Sequence, residues 1–321
     1  METARDLKNS ILDDENEFEN LVLNGGGILG LAFCGSFKAM NNLDKMKYIK
    51  RVIGTSVGSL FGVLAVCKCT NSEIDVYRKK FYKELTELDE TSIQQGINMY
   101  EHLGLHDNKN IKKVVDDLLF EKYGKHNMNL LQLYEATGVE YTAVTMCLNT
   151  RKAVYQNHVS NPTLDVGEAV LMSAAVPFFF VQVKYHGMVF VDGGAVDNMP
   201  IDYYDSENGK FNDKTLGMHF SRKKQSRYKS DTLIQVLEGI ENSQMENNEV
   251  QSIQNYDKRS IIEIDVDTIE AFNFDLTKSK QIMLETNGYK AVPAFYHKRE
   301  QNKTKDTVQI GWIPYIKSFV M

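Results

Sequence analysis

The sequence predicts an α/β fold with a mainly parallel central sheet. Two adjacent strand–loop–helix units and a later return of the same alternation carry that expectation. The first unit is an apolar strand, Phe18 to Leu23, ending in Asn24-Gly25-Gly26-Gly27-Ile28-Leu29-Gly30 and followed by an apolar helix from about Leu31 to Leu43. The second runs from a strand at Ile49 to Thr55 through a glycine-bounded turn into an apolar helix reaching Cys67. Past residue 138, strands and helices alternate again toward the C-terminal residues.

The second unit carries the first sign of chemistry. Gly54-Thr55-Ser56-Val57-Gly58 fits the G-x-S-x-G pattern of a nucleophile elbow. A serine nucleophile needs a sharp strand-to-helix turn that exposes its hydroxyl beside helix-terminal N–H groups. Its neighbours must be small, because backbone closes in from both sides. The competing reading is a serine that merely caps the following helix.

The glycine loop of the first unit is shaped to receive negative charge, with N–H groups and a helix dipole pointing at it. Gly25-x-Gly27-x-x-Gly30 also fits a dinucleotide fingerprint, which requires an acid at the end of the next strand. That strand ends Val52-Ile53-Gly54-Thr55, without one, and no lysine follows Gly30 as a phosphate-binding P-loop requires. An oxyanion hole serving the serine one strand away fits better, and a nucleotide-binding enzyme is the remote alternative.

From Ser72 to about Gly138 the pattern is amphipathic and helical, an insertion that covers one face of the sheet or caps the site. Val139 to Leu148 and Ala153 to Tyr155 read as a hairpin, and Asp165 as the cap of a short helix ending before Pro177. Phe178 to Tyr185 and Met188 to Val191 read as a second hairpin, running into Asp192-Gly193-Gly194. An aspartate at the end of an apolar strand stands where open α/β sheets place site residues. Further strands are expected at Leu216 to Phe220 and Arg259 to Val266, with helices at Thr232 to Met245 and Lys278 to His297.

Bulk properties narrow the function classes. A formal charge of −6 argues against general nucleic-acid affinity. Four cysteines in 321 residues are too few for a disulfide framework and read as buried thiols, and Cys67-x-Cys69 lacks the partners of a zinc site. Residues Met1 to Glu19 lack a basic then apolar start, and the uncharged run Leu21 to Phe37 is broken by glycines and too short to span a bilayer. The expectation is a soluble chain, cytoplasmic or peripheral to intracellular membranes, with any lipid contact at the surface.

Taken together, Gly25-Gly26-Gly27-Ile28-Leu29-Gly30, Gly54-Thr55-Ser56-Val57-Gly58, Ser173-Ala174-Ala175-Val176-Pro177 and Asp192-Gly193-Gly194-Ala195-Val196-Asp197-Asn198-Met199-Pro200 resemble, in this order, the patatin-like phospholipases. The resemblance implies a three-layer α/β/α fold and a cofactor-free, calcium-independent lipid acyl hydrolase with a Ser–Asp dyad. Ser56 would be the nucleophile and Asp192 the base, with backbone N–H groups around Gly25, Gly26, Gly27, Ile28 and Gly30 forming the oxyanion hole. Leu29 stands where many plant and bacterial members of the family that the chain resembles carry Arg or Lys, while an apolar residue there is similar to branches like the animal triglyceride lipases. Triacylglycerol or lysophospholipid lipase and acyltransferase activity are the alternatives on the same fold. The implied organisation is an acidic lead at 1–17, a catalytic core at 18–205 with its insertion at about 72–138, and an α/β extension at 206–321 packed on the same domain. No metal is implied; the implied partner is a phospholipid or other acyl lipid at a membrane surface.

Three secondary candidates complete the reading. His219 follows Asp192 in the Ser–Asp–His order of α/β hydrolases, although a half-buried structural histidine is the commoner outcome in a strand. Leu60, Met172 and Phe178-Phe179-Phe180 either line an acyl tunnel or belong to the core. Arg222 to Lys229 is a basic cluster that either meets anionic headgroups or is a solvated loop.

Overall fold

Strand-to-helix units recur along the chain because apolar runs of five or so residues alternate with longer apolar-periodic stretches. The computed structural model describes residues 18–86, 91–205, 211–221, 260–273 and 275–317, with residues 239 and 243. β1 (Asn20–Leu23) passes through a 3-10 turn (Gly27–Gly30) into α1 (Leu31–Asn42), and β2 (Arg51–Thr55) into α2 (Val57–Val66). The insertion comprises α3 (Asn71–Thr86), α4 (Ser92–His102), a short β3 (Gly104–His106), α5 (Lys109–Tyr123) and α6 (Leu130–Thr137). Then come β4 (Glu140–Cys147), β5 (Lys152–Gln156), α7 (Val166–Ser173), β6 (Phe178–Phe180), β7 (Val183–Tyr185) and β8 (Met188–Asp192). β9 (Thr215–Ser221), β10 (Ile261–Asp265) and the long α8 (Lys278–Lys317) follow.

The main sheet has the order β10-β9-β1-β2-β4-β8-β7, with β5 also on β4. Pairings from β10 through β4 are parallel, and those of β4 with β5 and β8 and of β7 with β8 are antiparallel. Period-two alternation sends Leu21, Leu23, Val52 and Tyr141 into the large core beneath the helices. Val22, Ile53 and Val144 point the other way, onto Met199 and Ile201 with Tyr155, Tyr203 and Tyr204 alongside. The α/β architecture with a mainly parallel sheet is the one expected.

Local signals act as anticipated at several ends. The Asp165 carboxylate accepts the Glu168 amide at 3.0 Å and caps α7. Asn129 and Gln132 form a reciprocal capping box at the start of α6. The expected strand Phe178 to Tyr185 is instead two pieces. Phe178 takes a left-handed φ of 66°, the Phe180 amide turns back to the Val176 carbonyl at 2.9 Å, and β6 leaves the main sheet to pair with β3. The last helix runs beyond His297 to Lys317. The acidic lead, the basic cluster Arg222 to Lys229 and, apart from residues 239 and 243, the helix expected at Thr232 to Met245 lie outside the described residues.

α8 lies tightly on α1. A Cβ at Gly35 would overlap the Glu285 carbonyl and one at Gly288 the Ala32 carbonyl, while the Ser36 hydroxyl donates to the Gly288 carbonyl at 3.0 Å. Lys38 pairs with Asp75 and, at 2.5 Å, with Glu285, tying α1, α3 and α8 together. All four cysteines are buried free thiols. Among the described residues no helix is long and apolar enough to cross a membrane.

Close backbone approach leaves no room for a side chain at this crossing. Gly288→Leu is therefore expected to destabilise the fold by about 3 kcal/mol. Urea unfolding measures it, and a change within ~0.5 kcal/mol would mean that α8 is not held as described.

Candidate active site

Strand register brings the two chemical candidates together. Ala143 and Val144 of β4 pair with both β2 and β5, and Thr145 to Cys147 pair with both β5 and β8. β5 therefore keeps one edge of β4, while β2 and β8 share the other and run toward each other. They stop head to head: Thr55 lies opposite Val144, and Asp192 opposite Thr145. Ser56 and Asp192, 136 positions apart in the chain, thus occupy one seam.

At that seam Ser56 turns sharply, with φ 54° and ψ −123°, before α2 begins. A non-glycine residue in that region costs about 1–3 kcal/mol, so the surroundings must hold it there. Small neighbours make the turn possible. A Cβ at Gly58 would come within 2.5 Å of the Leu23 carbonyl, and one at Gly54 within 2.5 Å of the Ser59 amide. Ser56 occupies the N-cap position of α2, yet its hydroxyl makes no capping bond. The plain capping reading of this serine is thereby removed.

Segment Ser173 to Ala175 splints the seam. The Ser56 amide donates to the Ser173 hydroxyl at 2.9 Å, and that hydroxyl donates to the Val144 carbonyl at 2.6 Å. Two residues on, the Ala175 carbonyl accepts the Asp192 amide at 2.9 Å. Gly193 must lack a side chain here, since a Cβ would stand 2.5 Å from that same Val144 carbonyl.

Asp192 is fully buried. Burial pushes its carboxyl up from the ordinary 3.8 to about 7, opposed by the Ser56 hydroxyl and the Gly194 amide. Gly194 donates to Oδ1 at 2.7 Å, while Oδ2 has no partner of hydrogen-bond geometry among the described residues. The Ser56 hydroxyl lies near enough to the carboxylate to oppose its rise, short of a hydrogen bond of standard geometry.

The glycine loop borders the same spot. A Cβ at Gly25 would lie 3.3 Å from the Ser56 Cβ and would overlap the Asn198 side chain. Not every amide in the loop is available. Gly25 donates to the Asn198 carbonyl at 3.2 Å and Ile28 to the Ala271 carbonyl at 2.8 Å. Gly26 and Gly27, at φ 156° and 53°, have amides with no acceptor among the described residues. Gly30 packs against Val57 and Phe61 and serves the join between loop and elbow. Of the five loop positions expected to form an anion-binding cradle, Gly26 and Gly27 keep free donors.

Several neighbours went unassigned in the sequence. The Asp197 carbonyl accepts the Thr55 hydroxyl at 2.8 Å, and its Oδ2 accepts from Tyr155 at 2.8 Å. Burial raises the Asp197 carboxyl to about 6 against that Tyr155 bond, with Asp202 raising it further. Asn198 is buried, its Oδ1 unpartnered among the described residues and overhanging Gly25. Asp197, Asn198 and Ser173 all lie inside the short motifs already singled out, which was the available signal. Of the secondary candidates, His219 lies apart from the seam. His219 sits on β9 opposite Glu263, separated from β2 by β1. Leu60 and Met172 are core residues, Phe180 is buried, and Phe178 faces solvent.

A carboxyl whose folded pKa is raised binds its proton more tightly in the folded state. Its contribution to stability is complete below about 4 and is lost as pH rises through about 7. Asp192→Asn is expected to unfold about 2–4 kcal/mol less readily than the parent at pH 8, and with little difference at pH 4. Chemical denaturation at the two pH values checks this; equal stability at pH 8 would contradict the burial of an ionised group.

Comparison with known proteins places the whole chain rather than its individual residues. The profile of the patatin-like phospholipase family matches residues 21–205, the span that holds the loop, the elbow and Asp192. The uncharacterized Bacillus subtilis protein YqhO is 24% identical over 290 residues, covering 85% of this chain and 96% of YqhO. The probable lipid hydrolase 463L of invertebrate iridescent virus 6 is 27% identical over 201 residues, covering 61% of this chain and 68% of 463L. Among solved structures, VipD from Legionella pneumophila shares the fold at a TM-score of 0.56 and 16% identity, covering 88% of this chain and 67% of VipD. With its profile spanning more than half of the sequence, the chain belongs to the patatin-like phospholipase family, a membership that supports lipid hydrolase activity.

Proposed function

We propose that the protein hydrolyses acyl ester bonds of phospholipids or related lipids through Ser56 and Asp192. The observation that carries this reading is the meeting of the uncapped Ser56 hydroxyl, a buried carboxylate and two free loop amides at one seam. Asp192, near 7, is a far better base than an ordinary aspartate and is still about half ionised at neutral pH.

In the proposed reaction the Ser56 hydroxyl attacks the acyl carbonyl while its proton passes to Asp192. Gly26 and Gly27 donate to the oxyanion of the tetrahedral intermediate. On its collapse the proton goes from Asp192 to the departing alcohol, leaving an acyl-serine. Asp192 then deprotonates a water that attacks this ester, and on the second collapse the acyl–Oγ bond breaks, Asp192 returns the proton to the Ser56 oxygen, and the fatty acid leaves. Each preorganised donor supplies about 3–4 kcal/mol in acyl transfer, so the loop contributes as much as the dyad. Thr55, Val57 and Gly58 keep the serine turned toward the carboxylate, and Gly193 and Gly194 let Asp192 approach it.

Fatty-acid release from mixed phospholipid micelles tests the reading. Ser56→Ala is expected to lose on the order of a thousandfold or more in kcat. Retention of activity within tenfold would refute Ser56 as nucleophile. Since the base must be ionised, kcat/KM is expected to fall about tenfold per unit below an apparent pKa near 7 and to level off above it. A flat profile between pH 5 and 8 would exclude Asp192 from that role.

Ser173 is the positioning residue of the seam. Ser173→Ala strands the Ser56 amide and the Val144 carbonyl, and is expected to lower kcat on a soluble ester about 10–100-fold at unchanged KM. Ser173→Thr, which keeps the hydroxyl, is expected to recover most of it. Equal losses in the two variants would point to packing alone.

A further inference from the structure

A lipid must leave its bilayer to reach a buried carboxylate, so the surface beside the seam matters. Leu103 and Phe178 are 57% and 45% exposed, and Tyr100, three residues before Leu103, is 88% exposed. The three belong to one small substructure. β3 pairs with β6 in parallel so that Gly104, next to Leu103, lies opposite Phe178. Leu103 and Phe178 both sit at left-handed φ, 58° and 66°, where a bulky residue is an outlier. Each displays an apolar side chain to solvent from that position.

This substructure is continuous with the catalytic seam. Phe178 lies three residues, at most about 11 Å of chain, from Ala175, whose carbonyl holds the Asp192 amide. On the other side, the Phe179 ring lies 5.1 Å from His106 and 6.3 Å from Phe272. Phe272 follows Ala271, whose carbonyl clamps the glycine loop at Ile28. The aromatic chain thus runs from the rim to the oxyanion loop.

We propose that Tyr100, Leu103 and Phe178 form an apolar rim that seats the mouth of the site on an uncharged lipid surface. The inference rests on the lipid-hydrolase reading above and names the partner of that site. Charge selects the kind of surface: a chain of net charge −6 is repelled by anionic bilayers, whereas apolar insertion into zwitterionic lipid meets no such opposition. Binding through the rim is accordingly insensitive to salt.

The test uses the full chain and phosphatidylcholine vesicles. Sedimentation of a Ser56→Ala protein measures binding without hydrolysis, and active protein is assayed on the same vesicles and on soluble p-nitrophenyl butyrate. Leu103→Ser combined with Phe178→Ser is expected to weaken vesicle binding on the order of a hundredfold. Vesicle hydrolysis should fall in step through apparent KM, while butyrate hydrolysis stays within twofold. Tyr100→Ser, at a position too exposed to matter for folding, is expected to weaken binding severalfold by itself. Leu103→Trp should give a blue-shifted emission on vesicle addition. Unchanged vesicle binding in the double variant, or binding restricted to anionic vesicles and abolished by salt, would overturn the rim. A parallel loss on butyrate would overturn it too, because the residues would then shape the site itself. Rim-dependent vesicle binding without hydrolysis of either ester would uphold the rim and overturn the catalytic reading.

Discussion

Two strands ending head to head on one edge of β4 are the constraint from which the rest of the site follows. Parallel β2 arrives opposite Val144 and antiparallel β8 arrives opposite Thr145. Neither can continue without colliding with the other, so each turns out of the sheet at that point. Ser56 is the first residue past one end, and Asp192 is the last residue of the other. The Val144 carbonyl lies between them, and the Ser173 hydroxyl bridges it to the Ser56 amide. A polar splint at this point satisfies groups that the interrupted ladder would otherwise strand in a dry interior.

The seam is unfavourable to folding in two respects. Ser56 is held in a rarely populated backbone region, and Asp192 carries a carboxylate away from water. Such local penalties persist only where the scaffold over-determines them. Here the large helical core does so, with Leu23, Val52 and Tyr141 packed against α2 at Gly62 and the Tyr141 hydroxyl donating to the Ser59 carbonyl at 3.0 Å. Two helices of that core, α2 after Ser56 and α7 ending in Ser173, run directly into the seam, and the α1–α8 crossing braces them from outside it. They supply the rigidity that the seam consumes.

What could be read from the sequence was what residue type alone demands. An elbow requires its small neighbours at Gly54 and Gly58, and a strand-end aspartate followed by two glycines announces close backbone. The strand and helix order was legible for the same reason, since apolar periodicity differs between the two. Register was not legible, because pairing is a property of strands distant in sequence, so the opposition of Thr55 and Asp192 across consecutive β4 residues had no local signal. Nor was the engagement of the Ile28 amide by Ala271, which comes from a segment more than 240 residues later and leaves the loop two donors that are free among the described residues. Phe178 to Tyr185 looked like one strand because β-propensity records aromatic and β-branched content. It does not record the left-handed turn that sends Phe178 toward β3.

The central claim is that the Ser56 hydroxyl is activated by Asp192 at this seam. The most direct measurement is the rate and site of labelling by a fluorophosphonate, with peptides mapped by mass spectrometry across pH 5 to 9. Modification confined to Ser56, with a rate rising through an apparent pKa near 7 and suppressed in Asp192→Asn, is the expected result. Labelling at another serine, or a Ser56 rate indifferent to the loss of the carboxylate, would contradict it.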